Sequence, residues 1–120
     1  MTGAANGIGK AVAEEFHKQG ARVVLADRDA KLLNTVVEKL NAKRPNSAFA
    51  VACDLSTEAA NAEFVAKSKQ FLGFIDLFYA NAGVAMGTDL TTSEETWNTS
   101  FDINVHAHRW AVKYLIDDWL

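Results

Sequence analysis

The sequence predicts an α/β fold built on a parallel sheet. Three observations lead there. A glycine-rich turn opens a helix, the strand-like runs are short, apolar and β-branched, and these runs alternate with amphipathic stretches of helical length. Right-handed strand–helix–strand units, with helices on both faces of the sheet, are the architecture that such alternation implies.

The elements follow in order. "MTGAANGIG" supplies the turn, and residues Ile8 to Gln19 place Ile8, Ala11, Val12, Ala13 and Phe16 at helical spacing, with Gly20 as the stop. Arg22 to Asp27, "RVVLAD", reads as a strand buried on both faces. Asp29 caps a second helix through about Lys43, with Leu32, Leu33, Val36, Val37 and Leu40 as its apolar stripe, and Pro45 prevents continuation. Ala48 to Cys53 is the next strand. Ser56 or Thr57 caps a helix carrying Ala60, Phe64, Val65, Ser68 and Leu72, ended by Gly73, and Ile75 to Ala80 gives a third strand. Thr92 with Glu95 has the form of a capping box, and Trp97, Phe101, Val105, His108, Val112, Leu115 and Trp119 predict one long helix running to or near the chain end. No repeat, low-complexity segment or linker divides the chain, so residues 1–120 read as one partial domain.

Composition narrows the partners. Twelve basic and fifteen acidic residues give a net charge of -3 without a basic block, which argues against nucleic acid and anionic membranes. No apolar run approaches the roughly 20 residues of a membrane helix, and the first residues do not form a signal peptide. Cys53 is the single cysteine, so no intrachain disulfide or cysteine-based metal cluster is expected. A reducing, cytoplasmic setting is the natural expectation.

The glycine turn carries the first chemical signal. Gly3, Gly7 and Gly9 are spaced G-x-x-x-G-x-G, and glycine lets backbone amides approach a pyrophosphate at a helix N-terminus. A P-loop does not fit, because Ala4 stands where its first glycine belongs and Ala11 replaces the Ser/Thr that binds magnesium. Asp27 lies 18 residues after Gly9 at the carboxyl end of the next strand, where a carboxylate can bind ribose hydroxyls. A helix-capping glycine turn and a turn aspartate remain the alternatives at this point.

Four motifs in order resemble the short-chain dehydrogenase/reductase family over almost the whole chain. "TGAANGIG" is similar to its cofactor turn, "CDL" at Cys53 to Leu55 to its adenine-contact segment, "YANAG" at Tyr79 to Gly83 to N-N-A-G, and "FDINV" at Phe101 to Val105 to its catalytic-asparagine helix. The resemblance implies a Rossmann-type doubly wound sheet and a nicotinamide dinucleotide across its carboxyl edge. On that pattern Gly3, Asn6, Gly7, Ile8 and Gly9 surround the diphosphate. Asp54 and Leu55 meet the adenine, and Asn81, Ala82 and Gly83 meet the adjoining ribose and sheet edge. Asp27 favours NAD, since a carboxylate repels the 2′-phosphate of NADP, while Arg28 is what an NADP site recruits, leaving NADP as the alternative.

The resemblance also implies parts that this sequence lacks. The family uses a serine and a Tyr-x-x-x-Lys motif for proton exchange. Here Tyr79 is followed at that spacing by Gly83 and Tyr114 by Asp118, leaving Asn104 as the sole member of the catalytic group. The parent activity implied is hydride transfer between a nicotinamide cofactor and an alcohol or carbonyl, in a homo-oligomer. The chain alone is expected to be inactive, and a non-catalytic nucleotide-binding or interaction module is the other reading. A methyltransferase fits the strand pattern but neither "YANAG" nor "FDINV".

The first, central strand is expected to be reduced to Met1 and Thr2, and the carboxyl-terminal half to be missing. Loss of one apolar strand removes on the order of 10 kcal/mol of burial, comparable with a domain's net stability of about 5–15 kcal/mol. The expectation is a marginal or molten chain, or one that closes the gap by rearrangement. His106 and His108 point about 200° apart on a helix and do not suit a shared metal, so no metal site is expected. Trp97, Trp110 and Trp119 suit either core or a subunit interface, and Asp117 with Asp118 a solvated terminus.

Overall fold

Helix α1 (Gly7–Lys18) leaves the glycine turn at Asn6 and delivers the chain, through Gly20, to strand β1 (Val23–Asp27). The computed structural model describes residues 1–87 and 89–120. Helix α2 (Ala30–Lys43) crosses over to strand β2 (Ala48–Ala52), which runs parallel to β1 with Val23 opposite Ala48 and Asp27 opposite Ala52. Helix α3 (Glu58–Leu72) follows, then an irregular stretch, helix α4 (Glu94–Phe101), a π-helical turn (Asp102–His106) and helix α5 (Ala107–Trp119).

Alternation along β1 explains its unbroken apolar sequence. Val23 and Leu25 pack with Leu33, Val36, Val37 and Leu40 of α2 and Ala13 of α1. Val24 and Ala26 face the other way, onto Phe64 of α3 and Ala107 of α5. A strand covered on both sides has no polar face, as the α/β class requires.

Caps confirm two expected starts and correct a third. Asp29 accepts from Leu32 N–H at 2.9 Å, and Thr57, rather than Ser56, accepts from Ala60 N–H at 3.2 Å. At α4 the cap is Ser93, which accepts from Thr96 N–H at 3.2 Å. The expected Thr92–Glu95 box is therefore shifted by one residue, because Ser93 holds the extended backbone with which a cap precedes its helix. The expected single final helix is likewise interrupted by the π turn around Asn104.

The largest difference lies at Ile75–Ala80, expected to be a strand and found without strand pairing. Its would-be neighbour consists of Met1 and Thr2. Thr2 forms a parallel bridge with Ala26 and donates its N–H to Tyr79 C=O at 3.2 Å, so two residues link β1 to this stretch. A strand needs a continuous partner to form a ladder, and one bond does not make one. Trp119 Nε1–H donates to Ile75 C=O at 2.7 Å and holds the start of the stretch.

Candidate functional site

The carboxyl ends of β1 and β2 and the loops that follow them converge on the glycine turn. A cleft of about 110 Å³ is lined there by Gly3, Asp27, Arg28, Asp54, Leu55, Ala82 and Gly83, together with Cys53, Val84 and Ile103. Seven of the residues singled out in the sequence thus meet at one sheet edge.

The turn is built by close backbone approach. Gly3 and Gly7 have φ of +62° and +56°, values that favour glycine. At Gly9 a Cβ would overlap the Gly3 carbonyl oxygen and lie 2.6 Å from Asn81 Nδ2. Asn81 donates from Nδ2 to Thr2 C=O and Gly3 C=O, both at 3.2 Å, so its side chain braces the turn. Asn6 makes no side-chain cap, which leaves the first amides of α1 without that partner, and Ile8 beside them is 71% exposed. Uncapped amides at a dipole's positive end, next to an exposed apolar side chain, suit an anionic group with an apolar flank.

Asp27 is fixed by two backbone donors. Ala5 N–H reaches Oδ2 at 3.1 Å and Asp29 N–H reaches Oδ1 at 3.0 Å. Each oxygen retains acceptor capacity for a hydroxyl. Arg28 is exposed alongside. Asp54 orders its own loop by accepting from Ser56 N–H at 3.0 Å, while Leu55 is buried. Burial, reinforced by Glu63, pushes the Cys53 thiol up to about 11, so it stays protonated at neutral pH and offers no thiolate.

Asn104 sits in the π turn and clamps the loop after Gly83. Its Oδ1 accepts from Val84 N–H at 2.7 Å and its Nδ2 donates to Val84 C=O at 2.8 Å. Asn104 lies outside the cleft lining, as do Asn6, Gly7, Ile8, Gly9 and Asn81, which border it through the turn. His108 Nε2 lies 3.1 Å from Ala82 C=O, and His106 packs beside Trp110 with ring centroids 5.6 Å apart.

Thr2 is a site residue that the sequence did not single out. It is buried, and its Oγ1 accepts both Asn81 N–H and Ala82 N–H at 3.0 Å, locking "NAG" to the glycine turn. The adjoining Thr-Gly pair was a visible signal. For His108 no local signal existed, because its partner lies 26 residues away.

With this geometry in place, the comparisons are decisive. The family model described as short chain dehydrogenase matches residues 1–120. The chain belongs to the short-chain dehydrogenase family. Among its short-chain dehydrogenase relatives, 2,3-dihydro-2,3-dihydroxybenzoate dehydrogenase of Bacillus subtilis is 35% identical over 98% of this chain and 46% of its own length. A metagenomic short-chain oxidoreductase solved with NADP superposes with TM-score 0.89 at 34% identity, covering 97% of this chain and 53% of that one. A short-chain dehydrogenase/reductase from Burkholderia phymatum solved with NAD gives TM-score 0.91 at 30% identity, covering 98% and 42%. The chain spans about half the length of the curated relatives it matches. The shared fold of these short-chain dehydrogenases is the Rossmann-like α/β arrangement, of which β1, β2 and their helices form part.

Proposed function

We propose that this chain is the cofactor-binding portion of an oxidoreductase that moves a hydride between NAD and an alcohol or carbonyl substrate. The observation that carries the reading is the convergence of the glycine turn, Asp27, Asp54–Leu55 and Ala82–Gly83 on one cleft at the carboxyl edge of the sheet. The α1 amides at Gly7, Ile8 and Gly9 meet the diphosphate, and Asn6 and Gly3 shape its approach. Asp27 accepts the adenosine ribose hydroxyls, Leu55 and Asp54 contact the adenine, and Ala82 and Gly83 contact the second ribose, with Asn81 as the brace beneath. The bound dinucleotide supplies the hydride acceptor or donor. Asn104 holds the Val84 loop beside it, and the proton exchange belongs to groups outside these 120 residues. Family relatives solved with NAD and with NADP support a nicotinamide dinucleotide as the ligand. The exposed apolar stripe of Trp97, Phe101, Val105, Val112 and Ile116 supports self-association of the whole protein.

Titration of the chain with NADH and NADPH, read by tryptophan quenching, tests the proposal. NADH is expected to bind tighter, and Asp27→Ala, with Arg28 retained, is expected to shift the preference toward NADPH by about tenfold or more, which is about 1.4 kcal/mol. Alcohol-dependent reduction of NAD by the chain alone is expected to be absent. No binding of either dinucleotide would overturn the reading, and turnover would overturn the assignment of proton exchange to other residues.

A further inference from the structure

The loop from Asn81 to Val84 gives the cleft three of its lining residues, Ala82, Gly83 and Val84, and it is tied down from two directions. On the side of the glycine turn, Thr2 Oγ1 accepts from Asn81 N–H and Ala82 N–H. On the side of the final helices, Asn104 pairs with both the N–H and the C=O of Val84, and His108 Nε2 lies 3.1 Å from Ala82 C=O. Asn104 and His108 are four residues apart, a spacing that puts two side chains on one helical face, so both reach the same loop. His106, between them in sequence, instead packs beside Trp110.

A carbonyl oxygen only accepts, so the bond to Ala82 requires the His108 proton on Nε2. The bond fixes more than the oxygen. In a trans peptide the C=O of one residue and the N–H of the next point in opposite directions, and among the described residues no peptide is cis. With Ala82 C=O turned toward His108 of α5, Gly83 N–H is turned away from it. His108 lies outside the cleft lining, whereas Gly83 is exposed and belongs to it. Among the described residues, no backbone carbonyl accepts from Gly83 N–H.

We propose that His108 is a positioning residue for the nicotinamide half of the cofactor: by holding Ala82 C=O, it aims Gly83 N–H into the cleft as a donor to a hydroxyl of the second ribose. The inference rests on the reading of the cleft as a dinucleotide site. Its effect is confined to one half of the ligand. The adenosine and diphosphate are met by Asp27, Asp54–Leu55 and the α1 amides, whose own hydrogen bonds do not involve His108. Without the imidazole, Thr2 and Asn104 still hold the course of the loop, and the peptide between Ala82 and Gly83 loses its orientation.

The test titrates the chain, His108→Leu and His108→Gln with NADH and with ADP, which lacks the second ribose and the nicotinamide, and reads binding by calorimetry. His108→Leu is expected to bind NADH about tenfold more weakly and ADP within about twofold of the parent. His108→Gln, whose side-chain amide places a donor near the Nε2 position, is expected to restore most of the NADH affinity. Two measurements on the parent do not depend on how the variants fold. Nitrogen NMR of the imidazole in alkaline buffer is expected to find the His108 proton on Nε2, and NADH but not ADP is expected to slow exchange of the Gly83 amide about tenfold. Equal losses for the two ligands would show a brace of the whole fold and overturn the proposal. An unchanged NADH affinity in His108→Leu, no recovery in His108→Gln, a proton on Nδ1, or a Gly83 amide that NADH does not protect overturns it as well, and each leaves the reading of the cleft standing. A parent chain that binds neither NADH nor ADP overturns that reading, and the role of His108 falls with it.

Discussion

Gly9 stands where helix α1 crosses the turn that precedes it, and the contact is between backbone and backbone. A methyl group there meets the Gly3 carbonyl, which cannot rotate away as a side-chain tip can, and the Asn81 amide that braces it. Gly9→Ala is therefore expected to destabilise the chain by about 1–3 kcal/mol and to weaken dinucleotide binding as the turn opens. Urea unfolding and the NADH titration check this, and an unchanged midpoint and affinity would contradict the packing described. Asp27 shows how much of a residue's role is set by its neighbours. A lone aspartate after a strand suits a helix cap as well as a ribose contact; here Asp29 takes the cap, while two backbone amides hold the Asp27 carboxylate at the cleft. Thr2, by contrast, shows its role only when Asn81 and Ala82, some 80 residues later, are brought against it.

At the scale of elements, local rules located the helices and misjudged their joints. The apolar stripes of α1, α2 and α3 placed them within a residue or two, since burial of one face and local caps both act over a few residues. The start of α4 turned on a one-residue choice between adjacent hydroxyls. Ser93→Ala is expected to cost about 1 kcal/mol, whereas Thr92→Ala falls within about 0.5 kcal/mol of the parent. Paired urea melts of the two variants decide it, and a larger loss for Thr92 would restore the box expected from the sequence. The π turn at Asp102–His106 was not legible, because the spacing of Phe101, Val105 and His108 is compatible with one continuous helix. What departs from it is the reach of Asn104 to Val84, a contact across 20 residues. Ile75–Ala80 carries strand composition and lacks a ladder, for strand pairing belongs to two segments and not to one.

For the whole molecule, acid is the weak side. His17 is buried at the end of α1, 2.6 Å from Ser47 Oγ, and Ser47 in turn donates to Arg44 C=O. Burial, then the Arg44 and Lys43 charges, hold its pKa below the ordinary 6.5, and burial lowers the Met1 amine from 8.0 to about 5. Both bases take up a proton more readily unfolded than folded, so stability rises with pH between about 5 and 8 and is lost as pH falls through that window. Glu58 and Asp89, held low by hydrogen bonds from Lys113, Tyr114 and Thr91, add losses only below their ordinary 4.5 and 3.8. Urea unfolding from pH 8 to 5 should show a falling midpoint, with the part below pH 6.5 reduced in His17→Gln and the part above it reduced by acetylating the Met1 amine. A midpoint that is flat or rises toward pH 5 would refute this.

The sequence by itself determined the family, the α/β class, the order of helices and seven of the residues that line the cleft, because turn chemistry, periodicity and motif spacing are properties of contiguous residues. Only the tertiary structure decided that Ile75–Ala80 makes no ladder, that Ser93 and not Thr92 caps α4, and that Thr2 locks the glycine turn to "NAG". The first and last of those outcomes depend on segments far apart in the chain competing for the same backbone partners, and no local pattern records which pairs are made.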